Sequence, residues 1–185
     1  MNRTTLHASR PSRGFTLVEM MVVIAILVIL GTIATASMRG MIDRSRMETA
    51  TSDFVGDLQF ARSEAITRGM TVSLCPSANG TSCLGSDAWQ GGWIVFVDRD
   101  GSGAVAPGAP VLRRRTTWAQ GYNFVATPGM GALSFGRDGF VLALPAAGAQ
   151  LRAEAASGDR ASVRCVSLNR AGHYLVQAAG TGACA

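Results

Sequence analysis

The chain has 185 residues, enough for one ordinary domain and a membrane anchor, and only 16% of its residues are charged. Its formal net charge of +5 would favour a nucleic-acid partner, but Arg3, Arg10 and Arg13 lie within residues 1–14, which contain no acid. The remaining chain has 14 basic and 12 acidic side chains, a net charge of +2. Composition therefore gives little support to a DNA-binding function.

An apolar segment follows this basic leader. Between Phe15 and Ser37 the only charged residue is Glu19, and Met20–Met38 is uncharged. A helix over residues 15–38 would be about 36 Å long, enough to cross a bilayer core of about 30 Å. The basic leader places the N-terminus in the cytoplasm by the positive-inside rule. We therefore expect a single transmembrane helix over residues 15–38 in a bacterial inner membrane, with the following residues in the periplasm.

The order of these segments is the reverse of an ordinary secretory signal, in which the cleavage site follows the apolar segment. A cut after Gly14 would remove the leader, residues 1–14, and leave the helix intact. The string Gly14-Phe15-Thr16-Leu17-Val18-Glu19 resembles the class III signal of type IV prepilins. This resemblance implies that a prepilin peptidase cleaves between Gly14 and Phe15 and methylates the new amine of Phe15.

Glu19 is the unusual residue of the apolar segment. A carboxylate inside a membrane helix costs about 2.5–3.5 kcal/mol on insertion scales and is seldom found without a partner. In pilins the equivalent carboxylate pairs with the N-terminal amine of a neighbouring subunit, which implies that Glu19 sets the subunit registry. The alternative is a simple signal anchor in which Glu19 has no role.

The apolar pattern changes after residue 38. Apolar residues now recur at spacings of three and four, which predicts that the helix continues over residues 39–69 and packs on a head through one stripe: Met47, Ala50, Phe54, Leu58, Ala61 and Ala65. Charged residues, including Asp53 and Asp57, are expected on its other faces. Gly69 is predicted to end the helix.

Residues 70–185 are predicted to form a β-rich head, because short β-type runs alternate with Gly, Pro, Asp and Asn. Turns are expected at Arg137-Asp138-Gly139 and Asn169–Gly172. The predicted fold is α+β, a long N-terminal helix packed on one or two antiparallel sheets. The predicted strands are Thr71–Cys75, Trp93–Val97, Val111–Arg115, Tyr122–Ala126, Ala132–Phe135, Phe140–Leu144, Gln150–Ala155, Val163–Leu168 and Tyr174–Ala178.

Three stretches, Asp57–Ile66, Val72–Ser77 and Gly91–Asp98, look like the GspH/FimT family of minor pilins and pseudopilins. The resemblance implies a type IV pilin-like fold and a non-enzymatic subunit in the tip or priming complex of a filament. The filament would be a type IV pilus or the pseudopilus of a type II secretion system. The implied partners are other minor and major pilins or pseudopilins, the prepilin peptidase, an inner-membrane assembly platform and membrane lipid. No cofactor is implied.

Four cysteines follow the apolar segment: Cys75, Cys83, Cys165 and Cys184. In an oxidising periplasm an even number of cysteines indicates disulfides, and of the three available pairings we expect the nearest-neighbour one. A zinc site is a weaker explanation, because neither pair has C-x2–4-C spacing and His173 is the only histidine beyond the leader.

The run Arg113-Arg114-Arg115 is the sharpest basic cluster of the chain. Strand alternation would place Arg113 and Arg115 on one face and Arg114 on the other. Such a run commonly protects an edge strand from pairing. The alternative is a patch for DNA or for a protein partner, formed together with Arg164 and Arg170.

The DNA alternative comes from the family, since some FimT members resemble DNA-uptake receptors of natural transformation with a Gly-Arg-x-Arg motif near the C-terminus. At the corresponding place here Gly172 is followed by His173, and Leu175 stands where the second arginine would be. Arg170 precedes the glycine. The motif is therefore incomplete.

Metal binding and catalysis have little support in the sequence. Asp98–Gly103 fits the first six positions of a calcium loop, but the twelfth position is Ala109 where a glutamate is required, so we expect an Asp/Gly turn. A nucleophile–base site would depend on His173 alone. Trp89, Trp93 and Trp118 are expected to be core residues. We predict neither a metal site nor an enzymatic activity.

Overall fold

The computed structural model describes residues 14–116, 122–145 and 148–184, and the side chains of residues 33–37 and 183 lie outside the description. Trp118 therefore lies outside the described residues as well. The chain divides between Arg39 and Gly40 into two compact units, and the second, Gly40–Ala185, is called the head unit below.

The helix α1 comprises Leu17–Arg68. It ends where the sequence predicts, because Gly69 adopts a φ of +62° that favours glycine. The backbone N–H groups of Gly69 and Met70 donate to the carbonyl oxygens of Ile66 and Ala65 at 3.3 and 3.2 Å. This pair of bonds is a Schellman motif, which satisfies carbonyls that the last helical turn would otherwise leave unpaired.

No helix within the described residues combines the length and the apolar character that crossing a membrane requires.

The described strands form two antiparallel four-stranded sheets. Sheet A has the strand order β3-β2-β1-β5, and sheet B has the order β4-β6-β7-β8. The strands are β1 (Val72–Pro76), β2 (Trp93–Val97), β3 (Val111–Arg115), β4 (Tyr122–Ala126), β5 (Leu133–Phe135), β6 (Ala149–Ala155), β7 (Arg164–Leu168) and β8 (Tyr174–Ala178). The predicted α+β fold, with a long helix packed on antiparallel sheets, is confirmed.

The core of the head unit lies between the helix and the two sheets. All six residues of the predicted apolar stripe are buried, with at most 2% of their surface exposed. Phe54 is central, because its ring makes edge-to-face contacts with Trp89, Trp93 and Phe124 at centroid distances of 5.4–5.5 Å. Trp93 belongs to sheet A and Phe124 to sheet B, so one helical side chain joins both sheets.

One predicted strand is wrong. Phe140–Leu144 does not form a strand, and only Val141 makes an isolated bridge to Phe135. The preceding turn forms as predicted, with the N–H of Gly139 donating to the carbonyl of Gly136 at 2.8 Å. The N–H of Leu142 donates to the carbonyl of Ser134 at 2.9 Å, whereas the N–H of Val141 donates to the carbonyl of Arg170, 2.9 Å away in another turn. The segment therefore lies beside β5 only as far as Leu142 and forms a single bridge instead of a strand.

The predicted turn at Asn169–Gly172 joins β7 to β8. The N–H of Gly172 donates to the carbonyl of Asn169 at 3.0 Å, and the N–H of Asn169 donates to the carbonyl of His173 at 3.0 Å. This hairpin sets the register of the last two strands, in which Leu168 faces Tyr174 and Val166 faces Val176.

Candidate assembly site

The N-terminus of α1 is closed by a capping box. Thr16 and Glu19 are three residues apart, the spacing at which each side chain can accept a hydrogen bond from the other's backbone. The N–H of Glu19 donates to Oγ1 of Thr16 at 3.2 Å, and the N–H of Thr16 donates to Oε2 of Glu19 at 3.4 Å. Glu19 therefore has a local role in starting the helix, which the sequence analysis did not assign to it.

The residues beside this cap are accessible. Gly14, Phe15 and Glu19 are all exposed, and 77% of the surface of Phe15 is accessible. A Cβ atom added at Gly14 would meet no atom within 4 Å. The fold itself thus places no steric demand for glycine at this position, so such a demand would have to come from a processing enzyme.

The first turns of α1 display large apolar side chains in every direction. Every Leu, Ile, Val and Met between Leu17 and Leu30 has at least 44% of its surface exposed. A helix that is apolar on all faces is normally buried in protein or in lipid. The cover for these side chains must therefore come from a source other than the described residues of this chain.

The second half of α1 contains a buried carboxylate. Asp57 is fully buried, contrary to the expectation that it lies on a polar face of the helix. Its Oδ2 accepts hydrogen bonds from Nε1 of Trp93 at 2.9 Å and from Nε of Arg115 at 2.8 Å, and its Oδ1 accepts from Nη1 of Arg113 at 2.9 Å. We call these four residues the Asp57 clamp. It connects the helix to strands β2 and β3.

Two neighbours reinforce the clamp. Asp53, one turn earlier in the helix, forms an ion pair with Arg115 at 3.4 Å, and the guanidinium of Arg113 lies 3.6 Å from the ring centroid of Phe60. The pKa of Arg115 is raised, mainly because its guanidinium donates to Asp57. Both cations thus have partners within the head unit, a role that sequence reasoning missed. The sequence did contain a signal for this contact: an acidic residue in the helix, Asp57, and two arginines, Arg113 and Arg115, whose spacing of two places them on one face of a strand.

The five arginines proposed as one patch are not gathered at one place. Arg113 and Arg115 belong to the clamp, whereas Arg114 lies on the other face of β3, with its Cδ 3.3 Å from where a Cβ of Gly80 would be. Nη2 of Arg164 forms an ion pair with Oε1 of Glu48 at 2.8 Å. Glu48 precedes Asp57 by nine residues, which at about 100° per residue places the two acids on opposite sides of the helix.

Arg170 is also separate from Arg164. It is exposed in the turn after β7, six residues from Arg164, which is roughly 20 Å along a strand. β3 is an edge strand of sheet A, as the edge-strand interpretation of the arginine run expects.

The calcium-like segment is organised by hydrogen bonds to Asp98. This carboxylate is buried and accepts from the hydroxyl of Ser73 at 2.7 Å, from the N–H of Gly103 at 2.9 Å and from the N–H of Ser102 at 3.1 Å. The pKa of Asp100 is lowered, chiefly because the Ser102 side chain hydrogen-bonds to its carboxyl. In the described part of the chain no three acidic, histidine or cysteine side chains cluster as metal ligands.

The cysteines form the two disulfides expected from their order in the chain. Cys75 pairs with Cys83 and Cys165 with Cys184. The first connects β1 to the following loop and lies in a small apolar cluster on the outer face of sheet A. The second joins β7 to the C-terminal segment. Trp89 and Trp93 are fully buried core residues, as predicted, and the exposed His173 lies in the β7–β8 turn.

Comparison with known families supports the sequence resemblance. The family model described as type II transport protein GspH matches residues 50–172, more than half of the chain. A model of the prokaryotic N-terminal methylation motif matches residues 9–35 and so includes Gly14, Phe15 and Glu19.

Solved structures share the fold. The type IV minor pilin FimU of Pseudomonas aeruginosa aligns with a TM-score of 0.55 at 21% identity, covering 72% of this chain and 90% of FimU. The minor pseudopilin EpsH from the type 2 secretion system of Vibrio cholerae aligns with a TM-score of 0.51 at 14% identity, covering 74% of this chain and 99% of EpsH. At these identities the structures establish the fold alone. On the extent of the GspH match, the chain belongs to the GspH family of minor pilins and pseudopilins, whose members are structural subunits and not known enzymes.

Proposed function

We propose that the chain is cleaved after Gly14, methylated on Phe15, held by its N-terminal helix in the inner membrane and then incorporated into the tip or priming complex of a filament. The observation that carries this proposal is found in the first part of α1, which begins three residues after Gly14. There the apolar side chains are exposed on all faces of the helix, and the first turn contains a glutamate, Glu19. The uncharged run Met20–Met38 supports the membrane anchor, and the arginines of residues 1–14 support a cytoplasmic leader with a periplasmic head.

Mass spectrometry of the protein from its native membrane tests the processing step. We expect the first residue to be N-methylated Phe15. Gly14→Ala is the informative variant, because the added methyl group would contact nothing in the fold and a loss of cleavage would reflect the peptidase. A native chain that begins at Met1 would rule out this step.

The role of Glu19 in subunit registry follows from its position. Cleavage would create an ammonium group on Phe15, four residues before Glu19 and therefore on the same helical face. Inside a filament the glutamate of one subunit would neutralise the amine of its neighbour, which removes the cost of two buried charges. The filament and the membrane would both cover the apolar side chains that α1 exposes.

Two substitutions separate registry from capping. Glutamine can replace glutamate in a capping box, so Glu19→Gln keeps the cap while it removes the charge, whereas Glu19→Ala removes both. We expect both variants to be processed but neither to co-purify with other pilin-like subunits from mild-detergent extracts. Normal incorporation of Glu19→Gln would show that the charge is not needed.

The filament is either a type IV pilus or a type II secretion pseudopilus. We expect the gene to lie beside other minor-pilin genes in the first case and within a secretion operon in the second. Deletion should accordingly reduce surface pili or the export of a secreted protein, and the two phenotypes are measured separately.

DNA binding is a second candidate, with narrower support. Of the five arginines considered, Arg114 and Arg170 are exposed and have no acidic partner within the described residues. A gel-shift series with the full-length protein in detergent, repeated over a range of salt concentrations, tests this role. A steep salt slope that Arg114→Ala and Arg170→Ala together abolish would favour DNA uptake, and binding that these substitutions leave unchanged would rule out the site.

A further inference from the structure

The sheet edges of the head unit are protected unequally. β3 presents three arginines, Val125 of the edge strand β4 is bridged to Ala88, and Phe135 of β5 is bridged to Val141. β8 pairs with β7 alone among the described strands, and no charged residue occurs from Tyr174 to Cys184. Proteins commonly block exposed strand edges with charges, bulges or covering segments, because open edges recruit other strands. β8 has no such charge.

The β7–β8 register shows which backbone groups of β8 face outward. Asn169 and His173 form a hydrogen-bonded pair at the turn, and such pairs alternate along an antiparallel ladder with pairs whose N–H and C=O groups point away from the partner strand. The outward-pointing residues are therefore Tyr174, Val176 and Ala178. The carbonyl of Ala178 accepts from the N–H of Thr181 at 3.2 Å, whereas the backbone groups of Tyr174 and Val176 have no partner within the described residues.

The core beneath β8 is incomplete. Residues opposite each other on neighbouring strands share a face of the sheet, so Tyr174 and Val176 point toward the core with their partners Leu168 and Val166. The two β7 side chains are 6% and 2% exposed, whereas Tyr174 and Val176 are 38% and 43% exposed. One further strand beside β8 would cover these side chains and pair the free backbone groups.

The direction of β8 restricts what this strand can be. Arg62 donates to the carbonyl of Gly172, and Gln59 donates to the hydroxyl of Tyr174. Arg164, which faces Ala178 at the far end of β8, contacts Glu48. β8 thus runs antiparallel to the part of α1 in the head unit. Antiparallel pairing of β8 with β8 of a second copy would point the two helices in opposite directions, which subunits anchored in one membrane cannot adopt.

We propose that β8 binds an uncharged, extended segment with alternating apolar side chains from a neighbouring, different pilin-like subunit, added as a fifth strand of sheet B. For an antiparallel addition, that segment runs in the same direction as the helix of its own subunit, so that all helices of the assembly are aligned. Strand addition of this kind uses main-chain hydrogen bonds for affinity and alternate side chains for specificity. The inference rests on the proposed filament function.

Val176→Pro tests the added strand selectively. Because the N–H of Val176 points outward, proline removes a donor from the open edge and leaves the β7–β8 ladder bonds in place. In the full-length protein we expect a normal mature mass, a melting temperature close to that of the wild type and an approximately tenfold or greater loss of co-purification with other pilin-like subunits, as the loss of one or two hydrogen bonds would give.

Two further variants keep the test decisive. Val176→Lys retains the N–H but adds an edge charge at a half-exposed position, so it should also reduce co-purification if proline perturbs folding. Val176→Thr keeps the β-branched shape and the N–H without a charge, and we expect it to retain most of the co-purification. Co-purification of Val176→Pro and Val176→Lys at the wild-type level would overturn the proposal.

A photocrosslinking residue at Leu175, which is 58% exposed, identifies the neighbour in intact cells. A crosslinked adduct with an edge strand of a different pilin-like subunit supports the proposal. The control places the crosslinker at Arg152 on the central strand β6, where we expect no such adduct. Adducts only between two copies of this chain, or none, overturn the proposal. If the wild-type chain is neither processed nor found with pilin-like subunits, the proposed filament function is wrong, and the strand addition that rests on it is wrong as well.

Discussion

The two ends of α1 differ in how their apolar side chains are arranged and buried, although they belong to one helix. Between Leu17 and Leu30 the apolar residues point in all directions and remain exposed, whereas between Met47 and Ala65 they form one stripe that is buried to 2% exposure or less. The second pattern is that of a helix whose partner is the rest of its own chain. The first pattern is that of a helix whose partner is not among the described residues of its own chain. The comparison teaches that the pattern of apolar residues along one helix distinguishes a segment that its own chain covers from a segment that needs another partner.

Truncating one apolar side chain in each segment should have very different effects. Phe54→Ala removes a ring buried among three aromatic residues and should lower the free energy of unfolding by about 3–5 kcal/mol. Ile24→Ala, at a position that is 60% exposed, should change it by less than about 0.5 kcal/mol. Denaturant unfolding of the full-length protein in detergent measures both. Equal effects would mean that the head unit does not fold independently of the apolar segment.

The Asp57 clamp should give the next largest effect. Replacing both Arg113 and Arg115 by alanine leaves a fully buried carboxylate with the Trp93 donor alone and should cost about 3 kcal/mol, somewhat reduced because both guanidiniums are partly exposed. Adding Asp57→Asn to this double variant should recover part of the loss, because the amide has no charge to bury. The comparison is a double-mutant cycle, and additive free energies would contradict the clamp.

Two glycines, one inside the second half of the helix and one directly after its last residue, should respond to alanine with changes in stability of opposite sign. Gly56 lies within the helix and a Cβ there would meet no atom within 4 Å, so Gly56→Ala should raise the free energy of unfolding by about 0.5–1 kcal/mol. Gly69 has equal space but a φ of +62°, so Gly69→Ala should lower it by about 1 kcal/mol. Thermal unfolding distinguishes them, and equal signs would disprove the role of Gly69 as a helix stop.

The smallest effect concerns the surface turn that contains Asp100. Because hydrogen bonds lower the pKa of Asp100 in the folded state, its ionised form stabilises the fold above the pKa of the unfolded chain. That contribution disappears as the pH falls through the folded pKa. Asp100→Asn should therefore destabilise the protein slightly at neutral pH and lose less stability on acidification. Parallel melting curves at neutral and strongly acidic pH would detect the difference, and identical pH profiles would contradict it.

Local sequence patterns predicted most of the secondary structure. The stripe from Met47 to Ala65, the stop at Gly69 and the positions of eight strands follow from side-chain periodicity and from residues with strong turn preferences. The strand predicted at Phe140–Leu144 was wrong because its apolar residues match the local strand pattern, whereas its backbone divides its hydrogen bonds between β5 and the distant turn at Arg170. The same limit explains Asp57, whose donors lie 36 to 58 positions later in the chain.

The sequence by itself determined the N-terminal methylation motif, the long helix and the β-rich character of the head, because each depends on neighbours in the chain or on a short motif. For the disulfides it only favoured, among three possible pairings, the one that the structure shows. Only the tertiary structure decided that two of the arginines bind a buried carboxylate and that the edge of β8 is left open. The physical reason is that a charge or a strand edge acquires its role from what lies beside it in space. Contacts between residues far apart in the chain leave no periodic signal in a single sequence.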